Sequence, residues 1–206
     1  MEYLHEKQHI KDSLDHLIEN DPVFSKVPVD FNNFPWPYFE GGFPGLVRIV
    51  IGQQISTMAA ASLWEKMSRK IDPLTPKNLL NQSDETLKSI GLSRQKQSYV
   101  RGLAQAIEDG EFTTEDFEAL SDDQIRKRIT SLKGFGDWSA NIYLLFCMAR
   151  LDVWPSGDLG IQLGLQNYLG LDEKPDAKQT QAEGERFRPE RSAASLLLWH
   201  LKSKAS

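Results

Sequence analysis

Two segments of this 206-residue chain have residue types and spacings that can do chemistry. The first, Leu132-Lys133-Gly134-Phe135-Gly136-Asp137-Trp138-Ser139-Ala140, joins two helical patterns through a turn whose glycines lie two apart. Glycine admits positive φ and lets a second backbone come close. The helix that follows presents unpaired N–H groups and the positive end of its dipole. Such a turn can hold a phosphate without reading sequence, because backbone amides meet the sugar-phosphate chain rather than base edges. A plain helix–helix turn is the alternative, and for an isolated Gly-x-Gly it is the commoner reading. The second segment, Val153-Trp154-Pro155-Ser156-Gly157-Asp158-Leu159-Gly160, sets Asp158 in a tight turn ahead of another helical stretch, 161–168. An aspartate there is a natural N-cap. It can also face a developing positive charge, since a helix N-terminus favours a carboxylate.

The elements that must position these groups read as helices. Val47, Val50, Ile51, Ile55 and Met58 recur at spacings of three and four behind Pro44-Gly45, which predicts one amphipathic helix. Thr75-Pro76 opens a short helix and Gly91 closes that region. A helix is expected over 95–108, with Tyr99, Leu103, Ala106 and Ile107 inward. Ser121 and Gln124 have capping-box spacing ahead of Ile125, Ile129 and Leu132. After the glycine turn, a further helix is expected through Trp138, Ile142, Leu145, Phe146 and Ala149. No alternating segment bounded by hairpin turns argues for strands. The polar stretch 172–185 reads as a mobile or loosely helical connection. The expected architecture is all-α with two helical lobes: a central one, 44–150, and a second made from 1–43 and 151–206, because neither terminal segment can bury a core alone.

Composition narrows the function classes. Hydrophobic content of 40% with 26% charged residues is ordinary for a globular protein. No run approaches the roughly 20 apolar residues of a membrane helix, and the N-terminus lacks the layout of a signal peptide, so an intracellular, soluble chain is expected. The lone Cys147 excludes an intrachain disulfide, a Cys-rich zinc site and a four-thiolate iron–sulfur cluster. His5, His9, His16 and His200 form no ligand-like cluster, so no catalytic metal is expected. The net charge of −5 argues at first against a polyanionic partner. Eight acids, however, fall between Glu108 and Asp123; outside that block 24 Lys and Arg face 21 acids. Local potential steers association more than net charge does, and Arg126, Lys127, Arg128 and Lys133 follow at once with no acid among them.

Five segments in order resemble one family. The hairpin and the Val-Trp-Pro-Ser-Gly-Asp run are joined by 46–56 with its Ile-Gly-Gln-Gln-Ile-Ser, by Gly91-Leu92-Ser93 with Lys96 beyond, and by 188–194 leading to Leu198-Trp199. Together they resemble the helix–hairpin–helix (HhH-GPD) DNA glycosylase superfamily, in its 3-methyladenine DNA glycosylase II branch, over about three quarters of the chain. The resemblance implies an active-site cleft between the lobes and a base-excision enzyme that flips alkylated purines out of duplex DNA and hydrolyses the glycosidic bond. It implies Asp158 as the catalytic carboxylate. Superfamily members that also cleave the backbone carry a lysine where this chain has Trp138, and Lys133 does not match that position, so a monofunctional enzyme without lyase activity is expected.

The resemblance also distributes binding roles. A cationic base on an aromatic face gains about 0.5–2 kcal/mol, so Trp138, with Trp154, Trp36 and Tyr38 behind it, is expected to form the base pocket. Trp36 and Tyr38 read more readily as a plug between lobes, and Trp64 and Trp199 read as core. Ile142 stands where some relatives carry another aromatic. Gly134, Phe135, Gly136 and Lys133 are expected to hold the DNA backbone. Gln53 either faces the DNA gap or caps neighbouring backbone, and Leu92, Ser93 or Arg94 is expected to fill the space left by the flipped base. No cofactor and no metal are expected; the partner is damaged double-stranded DNA, bound by a monomer in the cytoplasm or nucleoid of a bacterium or the nucleus of a eukaryote. Two rivals remain at this stage: a non-catalytic helix–hairpin–helix DNA-binding protein, and a glycosylase for uracil or mismatched bases.

Overall fold

Side-chain caps punctuate the chain from end to end. In the computed structural model, which describes residues 2–31, 34 and 36–203, Ser56, Thr75, Ser83, Ser93, Ser121, Asp158 and Asp176 each accept a backbone N–H at a helix start. Each such cap contributes about 1 kcal/mol by satisfying an amide the helix cannot. The helices are α1 (Gln8–Asn20), α2 (Gly42–Gly52), α3 (Thr57–Lys70), α4 (Pro76–Leu80), α5 (Asp84–Ile90), α6 (Arg94–Glu108), α7 (Asp122–Thr130), α8 (Asp137–Phe146), α9 (Leu159–Leu169), α10 (Ala177–Glu183) and α11 (Arg191–Ser203). Among the described residues there is no β-strand, only the isolated bridge between Tyr3 and Pro37. The fold is all-α. No helix among the described residues is long and apolar enough to cross a membrane.

The chain packs as two compact units, Glu40–Tyr143 and Met1–Phe39 with Leu144–Ser206. In the first, α6 buries Val100, Leu103 and Ala104 against α2 and α4. Its buried Gln97 donates to the Leu92 carbonyl at 2.8 Å. In the second, α11 lies against α9 so closely that a Cβ on Gly164 would stand 2.2 Å from the Leu198 carbonyl oxygen. Arg191, 8% exposed, donates to the Asp152 carboxylate, and the Ser192 hydroxyl bonds the Arg150 carbonyl. These bonds tie the start of α11 to the chain just ahead of Asp158.

Three local expectations are corrected. The single helix through Val47 and Met58 is two: α2 stops at Gly52, Gln54 takes φ +57°, and the Ser56 cap starts α3. Ile55 and Met58 therefore leave the core, 38% and 83% exposed. The helix after the glycine turn ends at Phe146, short of Ala149, which takes φ +50°. The stretch 172–185 contains α10, opened by a capping box between Asp176 and Gln179 and anchored by the fully buried Thr180.

Candidate functional site

The carboxylate of Asp158 caps α9. Its Oδ1 accepts the Ile161 N–H at 3.0 Å and the indole N–H of Trp199 at 2.8 Å. The turn beneath it closes through the Asp158 N–H to the Pro155 carbonyl at 2.9 Å. Gln162 steadies the same turn from α9, donating to the Ser156 carbonyl at 3.1 Å while accepting Lys174 Nζ at 2.6 Å. Gly160 makes room for the indole: a Cβ there would lie 2.6 Å from Trp199 Cδ1 and 2.9 Å from Asp158 Oδ1. Trp199, read from sequence as core, is thus bonded to the candidate catalytic group. The signal was its place one residue past Leu198, at the end of the fifth matching segment.

Aromatic rings surround this indole within the same unit. Trp36 and Phe146 lie 5.4 and 5.7 Å from it between ring centres, and Phe39 stacks on Phe146 at 5.1 Å. Trp36 is half-buried, and its own indole nitrogen finds no acceptor among the described residues. Tyr38 is also half-buried and carries Lys7 Nζ over its ring at 4.0 Å from the centre. Trp154 is a correction. It is 5% exposed, donates its N–H to the Thr180 carbonyl at 2.9 Å, and sits where a Cβ on Gly184 would touch it at 2.3 Å. Its ring is core, packed against Phe187 rather than open to a base.

The hairpin belongs to the other unit. Gly134 takes φ +92°, and a Cβ there would strike the Tyr99 ring at 2.3–2.5 Å, so the turn is pressed onto α6. Gly136 is exposed, with nothing within 4 Å of where its Cβ would point. Phe135, 5% exposed, fixes the turn from below with its side chain and donates its N–H to Leu132 at 3.1 Å. The first-turn amides of α8 have no acceptor inside their own helix. Trp138 stands in that first turn, half-buried. Lys133 is exposed and forms no ion pair among the described residues.

Gln53 ties this hairpin to the α2–α3 loop, donating to the Gly134 carbonyl at 2.9 Å and Ser139 Oγ at 3.1 Å. Lys96 holds the other side of that loop, its Nζ 2.6 Å from the Ile51 carbonyl, and burial lowers its pKa. Of the three candidate gap fillers, Leu92 is 3% exposed with its carbonyl engaged, which removes it. Ser93 caps α6 and Arg94 is exposed. The exposed large apolar side chains described on this unit are instead Ile55, on the loop that Gln53 anchors, and Met58, in the first turn of α3. Among the described residues no group of His, Cys, Asp and Glu could hold a metal ion.

An all-helical chain with a glycine hairpin at one helix start and a doubly bonded aspartate at another has the parts of a helix–hairpin–helix protein. The model of the HhH-GPD superfamily of base excision DNA repair proteins matches residues 47–189, and the chain belongs to that superfamily. It is 30% identical to DNA-3-methyladenine glycosylase 1 of Schizosaccharomyces pombe over 158 residues, 75% of this chain and 69% of the relative. The solved structure of 3-methyladenine DNA glycosylase (Mag1) from the same organism, in complex with abasic DNA, matches with a TM-score of 0.78 at 26% identity, covering 91% of this chain and 95% of that one. A DNA-3-methyladenine glycosidase from Bacillus halodurans matches at 0.73 and 25% identity, over 100% of this chain and 94% of that one.

Proposed function

We propose that this protein is a DNA glycosylase that removes alkylated purines of the 3-methyladenine and 7-methylguanine type from duplex DNA, leaving an abasic site. The observation that carries the reading is the Asp158 carboxylate, held by the Ile161 amide and the Trp199 indole beside a cluster of aromatic rings in a chain of this superfamily. Flipping the damaged nucleotide costs a few kcal/mol, least where alkylation has already weakened the pair. The base carries positive charge, so it is a good leaving group. The bond from C1′ to the ring nitrogen breaks, and its electron pair neutralises the base. The sugar becomes oxocarbenium-like, and Asp158 stabilises that charge. Water then adds to C1′ and gives up its proton to the carboxylate or to solvent.

The backbone amides of Gly134, Gly136 and Asp137 hold a phosphate, with Lys133 as the adjacent cation, while Trp36, in the ring cluster beside Asp158, stacks on the flipped base. Gln53 acts by fixing the hairpin. Ile55 and Met58 fill the space the base vacates, a role supported by their exposure and by the burial of Leu92. Helix α8 contains no lysine, which supports hydrolysis without backbone cleavage and hence a monofunctional, type II enzyme. The test is release of 3-methyladenine and 7-methylguanine from methylated duplex DNA by the wild type and by Asp158→Asn. Release by the wild type, lost in the variant while abasic DNA is still bound, is the expected result. Binding without release by either protein would instead favour the non-catalytic reading or a different base.

A further inference from the structure

Away from the residues above, α3 and α5 end side by side. Their last turns border an open hollow of about 260 Å³ lined by Lys66, Arg69, Lys70, Ser89 and Ile90. Three of these five side chains are cationic and none is acidic. Arg69 shares one exposed ion pair with Glu65 at 3.5 Å, of a kind that holds little energy in water. Lys66 and Lys70 have no ion pair among the described residues. Cations near helix C-termini are ordinarily explained by the macrodipole, and two helices end here. Each end supplies only about half a negative charge, so the dipoles offset about one of the three positive charges. The remainder is electrostatically unmatched, in a concave site of a size to admit phosphate oxygens.

The chain leads from the hollow to the elements proposed above to meet DNA. Ile90 lines it; Gly91 follows at φ +108°, packed so tightly that a Cβ would lie 2.6 Å from Leu63 of α3. Ser93 then caps α6, and exposed Arg94 opens that helix. One and a half turns along α6, Tyr99 supports Gly134 of the hairpin. The other end of α3 carries Met58. At 1.5 Å per residue, the axial distance from Met58 to Lys70 is about 18 Å, or about five base-pair rises of 3.4 Å.

We propose that this hollow is a second phosphate-binding site, separate from the hairpin, that holds the DNA backbone about five nucleotides from the flipped base. The proposal rests on the glycosylase reading for its orientation, and on the charge and shape of the hollow for its ligand. The site adds affinity for flanking duplex and takes no part in the chemistry. The test is the triple variant Lys66→Gln, Arg69→Gln, Lys70→Gln, with Lys26→Gln, Lys77→Gln, Lys178→Gln as an equal charge change elsewhere on the surface. Binding to a long abasic duplex is measured across a salt series, with single-turnover base release at saturating DNA. Loss of the one phosphate held there lowers the slope of log Kobs against log salt by about 0.9 in the first variant, while the control keeps the wild-type slope and the saturating release rate is unchanged in both. An unchanged slope in the first variant overturns the proposal. So does an unchanged slope accompanied by binding of inorganic phosphate alone at Arg69, Lys70 and Ser89, which would assign the hollow to a free anion. A reduced slope in a protein that releases no base leaves this site standing and removes the glycosylase reading instead.

Discussion

Replacing Trp199 with phenylalanine removes one donor from the candidate catalytic carboxylate and leaves most of the ring stack. The bond lost is 2.8 Å long and runs from a neutral N–H to a carboxylate oxygen. Hydrogen bonds to charged groups contribute about 1.5–3 kcal/mol. The Ile161 amide still holds the same oxygen at 3.0 Å, so the lower half of that range applies. At a factor of ten per 1.4 kcal/mol, base release slows about 10- to 40-fold. Gly160→Ala reaches the same bond by steric means, because the new Cβ would lie 2.6 and 2.8 Å from two indole atoms. The assay is single-turnover release of 3-methyladenine at saturating enzyme, with affinity for an abasic duplex measured alongside. Both variants should lose rate while keeping that affinity, since neither change touches the hairpin. If Trp199→Phe releases base at the wild-type rate while Asp158→Asn is inactive, the indole is packing only and the argument for a buttressed carboxylate fails.

Other perturbations test other parts of the molecule. Gly134→Ala places a Cβ against the Tyr99 ring at a backbone φ of +92°, and should cost about 1–3 kcal/mol of stability and weaken abasic-DNA binding; equilibrium denaturation and a binding titration read both. The double change Ile55→Ala, Met58→Ala removes exposed side chains, so thermal stability should hold while affinity for duplex containing a flipped nucleotide falls; equal affinity would exclude them as gap fillers. Burial, reinforced by the bond to Asp21, raises the Tyr168 hydroxyl to about 12. The folded chain therefore keeps a proton that the unfolded chain loses above its ordinary value of 10.0, and the stability this group contributes below that value is lost as pH rises towards 12. Tyr168→Phe should delete a late-titrating phenol from an ultraviolet titration and flatten that alkaline loss.

Helix identity was legible wherever capping chemistry and apolar period coincide, as at Ser121–Gln124, where both halves of the box form. The same box at Asp176–Gln179 was overlooked because few apolar residues surround it. Period alone misled at the α2–α3 break. Spacings of three and four continue through Gly52 to Ser56, although the left-handed Gln54 has already turned the chain. The tryptophans show a different limit. Proximity to Asp158 in sequence suggested Trp154 as a pocket residue, but its turn sends the ring towards Thr180 and Phe187. Trp199 reaches Asp158 across 41 positions because α11 folds back onto α9. No local pattern encodes that return; it depends on Gly160 and Gly164, whose missing side chains allow the two helices to meet.

The indole that steadies Asp158 lies on α11, whereas the hairpin and its supports lie wholly within 40–143. During synthesis, the hairpin proposed to hold the phosphate backbone leaves the ribosome well before the carboxylate gains its second donor. A nascent chain can thus acquire its hold on nucleic acid ahead of its capacity to cut a glycosidic bond. In the proposed mechanism, completion of α11 is the step that readies the carboxylate.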